Sequence, residues 1–524
     1  MSVDARVSVT PADGRVPSAR RGAAGWAART YWCWPLVVTA GLGLYQVAQP
    51  VLWRDELSGW ALASRGLPKL LATARTTDGA QLPYYLVLHY WMAAFGSSVL
   101  SMRVLSVLFM AGAAVFVALA ARELAGPRAA VASGLVFALI PSVSRFAQEV
   151  RFYAPMMFFA ALATWLLARA LNRRSWPLWA GYAAAMGAMG WMEIVAMALL
   201  AGHASWVVLR WWRDRSLRPV AWFVAAAIVS GMACAPIILL GHRQALSQVY
   251  WVPKPSFWPQ TLGQFGSNLF YSGPVAVAVL MLAVLAWKFE ARLAGYLTAA
   301  TLVPVAAICA LSYGSVSYFV SRYVLFTLIT LAICAGTAVA AMGRRSAVVA
   351  VAGLALLGFH DQMMIRQADA HDWSSYPVGV QWNTLPYQQV ASIVGVRVQP
   401  GDAIVYPGQK SARETQLDLG MDYYMPRYLH PGVSEPRQTL LAQTAIGAND
   451  LYPHPCDHPN QCVGHARRVW VVGADGEGNN LDPLQTLVPA QAGALRHYYT
   501  MTSVWHIGDV AIGLLDRRGA SDVR

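Results

Sequence analysis

The stretch WCWPLVVTAGLGLYQVA at Trp32 to Ala48, followed at once by QPVLWRDEL at Gln49 to Leu57, decides how the chain is read. Its first half is an apolar run of membrane-spanning character. Its second half places Arg54, Asp55 and Glu56 where that run ends, and acids held beside a bilayer mark a functional site by default. Elsewhere charge is scarce: of 524 residues only 13% are charged, 56% are hydrophobic, and the mean hydropathy is +0.41. Such a chain is too apolar for a water-soluble protein and too long for one core.

A hydrocarbon core of about 30 Å takes about 20 helical residues to cross. By that measure apolar runs recur at Trp32 to Ala48, Met102 to Ala121, Ala129 to Val143, Ala154 to Leu171, Leu178 to Met192 and Ile194 to Trp211. Further runs occupy Val220 to Leu240, Pro274 to Trp287, Leu293 to Leu311, Tyr323 to Ala341 and Ala347 to Phe359. They predict a polytopic α-helical membrane protein of about eleven spans over 29–359.

Arginine places the ends. Arg6, Arg15, Arg20, Arg21 and Arg29 precede the first run, and alternate loops carry Arg122 with Arg128, Arg169 with Arg173 and Arg174, and Arg210 with Arg213, Arg215 and Arg218. Lys288 with Arg292 and Arg344 with Arg345 complete the series. By the positive-inside rule these loops and the N-terminus are cytoplasmic, and the region after Phe359 is extracytoplasmic, as in a multi-pass plasma-membrane protein. The formal charge of +14 is then mostly topology and gives no sign of nucleic-acid binding. No small-residue cleavage site follows Trp32 to Ala48, which is expected to be retained as a signal anchor. Residues 1–28 are expected to be a disordered cytoplasmic tail.

The outer segments carry the remaining chemistry. Leu57, Trp60 and Ala61, then Leu67, Leu70, Leu71 and Ala74, recur at helical spacing and predict two short interfacial helices broken at Gly66-Leu67-Pro68. Leu82 to Phe95 is a third apolar run, too short to span, and it carries Tyr84, Tyr85 and His89. Ser142 to Arg151 reads as a short loop containing Glu149 and Arg151, and Gly241 to Ser272 as a longer aromatic loop. Glu193 reads as a solvated residue between two spans.

In this order the motifs resemble a known family. WRDEL at Trp53 to Leu57, DGAQLPYYLVLHYW at Asp78 to Trp91, MRVLSVLF at Met102 to Phe109, FAQEVRFYA at Phe146 to Ala154 and SRYVLF at Ser321 to Phe326 are similar to the motifs of the C-type (GT-C) membrane glycosyltransferases. That family includes the protein O-mannosyltransferases and the lipid A aminoarabinose transferase. The resemblance covers roughly residues 30 to 345; the family has two prolines before the tyrosine of the first-loop motif, whereas here Leu82 precedes Pro83.

The resemblance implies transfer of a sugar from a polyprenyl-phosphate donor to an acceptor hydroxyl on the outer face. A lipid phosphate is already a stable leaving group, so the main need is a carboxylate that takes the hydroxyl proton. Asp55 fits that role, with Glu56 and Glu149 as further candidate catalytic acids. Arg322, Arg151 and Arg54 are the candidates for the donor phosphate, because a guanidinium binds phosphate through paired hydrogen bonds. Asp78, Tyr84, His89 and Tyr323 are candidate substrate contacts. Mannose is the first sugar expected, then arabinose or glucose, and the acceptor is a lipoglycan, a polysaccharide or a protein.

Plainer readings stand beside these. Asp55 and Glu56 also suit a helix start, the arginines suit interfacial anchors, Glu149 with Arg151 suits a surface ion pair, and His89 suits packing. Asp55, Glu56, Asp78 and Glu149 would suit Mg²⁺ or Mn²⁺, although the resemblance points to a metal-independent site. A transporter or lipid flippase should carry ionisable groups in mid-membrane, whereas the acids here collect at one edge. An inactive assembly protein of the same shape is the other rival.

After Phe359 the composition changes, and 360–524 is expected to form a small α/β domain. Ala403 to Tyr406, Arg468 to Val472 and Val510 to Leu515 read as strands, and Thr384 to Val396 and Leu419 to Leu429 as helices. Cys456 and Cys462, outside the membrane on this topology, are expected to close a disulfide loop, with zinc binding by the neighbouring histidines as the lesser reading.

Overall fold

The computed structural model of the chain describes residues 30–173, 175–368, 385–408, 415–474 and 482–519. The tail at 1–28, Arg29 and Arg174 lie outside them. The apolar runs fall largely in helix. After α1 (Cys33–Leu44) the first loop supplies α2 (Arg54–Ala63), α3 (Leu67–Ala74) and α4 (Leu82–Phe95). The bundle continues through α5 (Val99–Ala125), α6 (Pro127–Leu139), α7 (Pro141–Ala147), α8 (Tyr153–Asn172), α9 (Trp176–Met192), α10 (Leu199–Asp214) and α11 (Leu217–Gln248). It ends with α12 (Pro259–Phe270), α13 (Gly273–Leu311), α14 (Thr327–Ala341) and α15 (Arg344–Met364).

Among the described residues five helices, α5, α8, α11, α13 and α15, are long and apolar enough to cross a membrane, or six if the bent pair α6 and α7 is one span. This is fewer than the runs predict, for two physical reasons. Helices α1, α9, α10 and α14 are short, at 12, 17, 16 and 15 residues. The runs Pro274 to Trp287 and Leu293 to Leu311 share α13, whose backbone leaves helical geometry at Glu290 (φ −140°, ψ 58°).

Two predicted loops are partly helical. Pro141 lacks an N–H and holds Ile140 extended, so the chain turns by 68° and resumes as α7, inside the segment read as loop. Beyond Gly241, α11 runs on to Gln248, and α12 occupies much of the remaining stretch before Ser272. Packing of α14 on α6 depends on Gly336, where a Cβ would come within 2.3 Å of Ser133. Close approach at small residues is how helices pack where no water drives them together.

The C-terminal region carries α16 (Tyr387–Gly395), β1 (Ala403–Val405), α17 (Leu417–Tyr424), β2 (Arg437–Gln438), β3 (Leu441–Gln443), β4 (His454–Pro455) and α18 (Pro459–Cys462). Next come β5 (Arg468–Ala474), α19 (Pro489–Tyr498), β6 (Tyr499–Ile507) and β7 (Val510–Arg517). Five strands form one mixed sheet in the order β2-β1-β5-β7-β6, parallel across β2-β1-β5 and antiparallel across β5-β7-β6. The sequence reading misses the short elements β2, β3, β4 and α18, and with them α19 and β6. In β6 inward residues alternate with exposed Thr500, Thr502, Val504 and His506, so no continuous apolar run betrays it.

Candidate active site

Two of the outer acids belong to the scaffold. Glu56 sits in the first turn of α2 and accepts the backbone N–H of Trp53 at 3.2 Å, while Arg103 of α5 donates Nε and Nη2 to its two oxygens at 3.0 and 2.8 Å. The N–H of Val150 adds a further bond to Glu56 at 2.8 Å, and both charged side chains are fully buried. Arg103 also donates to the carbonyls of Val47 and Pro50, each at 2.8 Å. Glu149 is held the same way, by Arg145 at 2.8 Å and by the Trp53 indole N–H at 3.2 Å. The oxygens of Glu56 and Glu149, the further candidate catalytic acids, are engaged in pairs that join the first loop to α5 and α7.

Asp55 is placed differently. One residue earlier on α2, it turns to another side of the helix and keeps 20% of its side chain exposed, with Arg54 Nε at 3.6 Å and Arg151 Nη2 at 3.9 Å. Arg151 Nη1 reaches the Asp55 carbonyl and the Tyr85 hydroxyl, both at 3.4 Å, and the Tyr85 hydroxyl donates to Asp78. Burial pushes the Asp55 carboxyl up, but the guanidinium groups of Arg151, Arg54 and Arg322 outweigh it and hold the group below its ordinary value. Asp78 goes the other way, raised by burial despite Arg151. The two carboxyls of one site are thus shifted in opposite directions by their surroundings.

The turn bearing Asp78 is fixed from α11. Asp78 occupies the left-handed region (φ 54°, ψ 30°), and Gln244 accepts the N–H of Gly79 at 2.7 Å while donating to the Ala74 carbonyl at 3.2 Å. A Cβ on Gly79 would lie 2.2 Å from that carbonyl, so only glycine fits. Arg322 comes from the turn before α14, is 7% exposed, and lies 5.3 Å from the Trp251 ring centre. It acts on the charges of Asp55 and Glu149.

Beside this cluster opens a cavity of about 590 Å³. Asp78, Gln81, Glu193 and Tyr323 form polar walls, and Met192, Ile194, Met197, Ile238, Val249 and Ile308 form apolar ones. Glu193 is a wall residue and not a solvated loop residue; its carboxylate accepts the Val195 N–H at 3.0 Å, and burial raises it to about 7. Asp55, Arg151 and Arg322 stand behind this wall and reach it through Asp78 and Tyr323.

The C-terminal region closes the other side, a role that no sequence signal marks. Ser58 donates to Gln416 at 2.7 Å, one turn of α2 beyond Asp55, and the Leu52 N–H donates to the Tyr424 hydroxyl at 2.8 Å. Thr76 and Thr77, just before Asp78, donate to the Asn449 carbonyl at 2.8 Å and to Asp450 at 2.7 Å. Tyr452 lies against Gln416 within the field of Asp78 and Asp55. The disulfide between Cys456 and Cys462 sits just past this contact, next to β4.

Other sequence candidates fall elsewhere. His89 faces α2, with Nδ1 2.7 Å from the Ala63 carbonyl, and is not a wall of the cavity. Tyr84 is fully buried with its ring 6.1 Å from that of Tyr85. Among the described residues no group of three or more His, Cys, Asp or Glu side chains is arranged to hold a metal ion. Of the four oxygen donors named from sequence, Glu56 and Glu149 are taken by arginine, and Asp55 and Asp78 stand on either side of Arg151. Arg103 and Arg145 escape the sequence reading, yet each lies in an apolar helix where a charge demands a partner, and Arg145 stands four residues before Glu149.

Comparison with known proteins places this geometry. The profile of the dolichyl-phosphate-mannose-protein mannosyltransferase family matches residues 82–239. ArnT from Cupriavidus metallidurans in the apo state is similar at a TM-score of 0.59 with 14% identity, over 94% of this chain and 98% of that one. The same protein bound to undecaprenyl phosphate is similar at 0.54 with 15% identity, over 93% and 98%. An oligosaccharyltransferase from Archaeoglobus fulgidus is more distant, at 0.45 and 10% identity over 90% of this chain and 72% of that one. No curated protein matches the sequence. Over residues 82–239 the chain is similar to the protein O-mannosyltransferases, and over most of its length it shares the GT-C fold of ArnT.

Proposed function

We propose that the protein transfers a sugar, mannose first among candidates, from a polyprenyl-phosphate donor to an acceptor hydroxyl at the outer face of the plasma membrane. The observation that carries this reading is Asp55, an ionised carboxylate flanked by Arg151 and Arg54 beside an apolar cavity with a polar wall. The ArnT similar in fold binds undecaprenyl phosphate, and the cavity here would take the isoprenoid end of such a donor.

In this reading the acceptor oxygen attacks the anomeric carbon while the bond to the phosphate oxygen breaks, inverting that centre. The electron pair of the broken bond leaves with the phosphate, whose growing charge is met by Arg322 and Arg151. The acceptor proton passes to Asp55. The donor also tunes the base. Three guanidinium groups hold Asp55 down; a bound phosphate would draw on the same charges, so the donor makes Asp55 more basic. Glu56 orients the loop through Arg103 and the Val150 N–H. The site works without a metal, since the arginines supply the positive charge.

The test is transfer by the purified protein, given polyprenyl-phosphate mannose, arabinose or glucose in turn with membrane extract as acceptor. Labelled product from one donor, with an inverted anomeric centre, is expected. Failure with every lipid-linked sugar would favour the inactive assembly reading, and product of retained configuration would remove the single-displacement step.

A further inference from the structure

Helices α8 to α11 run between two cavities. Their ends at Tyr153, Met192, Leu199 and Gln248 lie toward the Asp55 site, and their other ends, Asn172, Trp176, Asp214 and Leu217, surround a second cavity of about 400 Å³. Since α8 alone has 20 residues, the two cavities are separated by about 30 Å, the thickness of a bilayer core. The second cavity lies where the basic loops gather.

Its lining combines cations with indole rings. Arg173, Arg210 and Arg218 point to a surplus of positive charge, against the single acid Asp214. Arg210 is held in place by Asn172 at 2.9 Å and Asp214 at 3.3 Å. Arg173 makes only a long pair with Glu123, 3.8 Å at 56% exposure, and Arg218 makes no hydrogen bond or ion pair among the described residues. Trp179 forms a buried wall, while Trp176 and Trp222 stand exposed at the mouth, beside Leu217. Indole rings of this kind settle at headgroup depth, and arginine binds the phosphodiester.

We propose that this cavity is a binding site for the headgroup of an anionic phospholipid, drawn from the leaflet opposite the Asp55 site. The exposed apolar rim favours a lipid over free phosphate, because acyl chains would cover Trp176, Leu217 and Trp222 while the phosphate enters between Arg173 and Arg218. The size suits a glycerophosphate group. Such a lipid would tie the α8–α9 connection to the α10–α11 connection across the charges that repel there.

The probe is phosphatidylglycerol, titrated onto the purified full chain in detergent and followed by native mass spectrometry, with phosphatidylcholine as the neutral comparison. Retained phosphatidylglycerol adducts are expected. Each arginine lost should weaken retention about fivefold, so that the double variant Arg173→Ala/Arg218→Ala falls about 25-fold. Arg173→Lys/Arg218→Lys, which keeps the charge, should retain most of the binding, and Arg344→Ala/Arg345→Ala, on the same face but outside the cavity, should match the unaltered protein. Equal retention of phosphatidylcholine, or an unchanged double alanine variant, overturns the site. Displacement of the lipid by millimolar inorganic phosphate overturns the choice of a lipid. None of these readings depends on sugar transfer.

Discussion

Asp55 and Glu56 are neighbours in sequence and belong to different regions. Glu56, with Arg103, Glu149 and Arg145, forms a closed layer in which opposite charges meet at hydrogen-bond distance out of water. Asp55, with Asp78, Arg151 and Arg322, forms an open cluster in which the ion pairs of Asp55 are longer and whose edge is a cavity. Acids with every oxygen satisfied hold the fold; acids whose cations stand 3.6 to 3.9 Å away are left for a substrate. A helix of 3.6 residues per turn produces the division, because adjacent side chains leave it about 100° apart.

The largest effect that tests this division is Asp55→Asn. Transfer should fall by about 10²- to 10⁴-fold, the usual share of a general base. The melting temperature should stay close to that of the unaltered protein, since no short pair is broken. Normal turnover by the Asn variant would move the base elsewhere.

Next in size is Glu56→Ala. Removing one partner of a buried pair leaves Arg103 uncompensated and should cost about 3–5 kcal/mol, read as a large drop in melting temperature in detergent. Should this variant melt normally and lose only activity, Glu56 would belong with Asp55, and the contrast between the two regions would be wrong.

That contrast was half legible in the sequence. The helices of the first loop, the last of which spans Leu82–Phe95, follow from apolar spacing and from Gly66-Leu67-Pro68, so the platform for Asp55 was predictable. Which of two adjacent acids faces the cavity depends on the rotation of α2, and that is set by Arg103 and Val150, 47 and 94 residues away. The contacts of Gln416 and Asp450 with the first loop span more than 350 residues and leave no local pattern. The count of spans differs with the measure, because short apolar helices such as α1 and α14 register in hydropathy but fall below the length that crosses a bilayer unaided.

A smaller effect is expected from Arg322→Ala. A charged hydrogen bond to phosphate contributes about 1.5–3 kcal/mol, so kcat/KM for the polyprenyl-phosphate donor should fall by about tenfold or more, shared between a higher KM and a lower kcat because Arg322 also meets the charge that grows on the leaving phosphate. A fall in kcat at unchanged KM would instead place Arg322 on the transition state alone.

The smallest effect concerns pH and the cavity wall. Burial raises Glu193 from an ordinary value of 4.5 to about 7. Between those values the folded protein keeps a proton that the unfolded chain releases. Folding therefore becomes less favourable as pH rises through that window, and the loss is complete above the folded value. Glutamine at this position has no proton to lose, so Glu193→Gln should flatten the decline. Melting temperatures of the two proteins should converge at the acid end of the window and separate at its alkaline end, with the variant higher. Parallel curves would mean that water reaches Glu193 freely, and the wall between the open cluster and the cavity would then be wetter than its lining indicates.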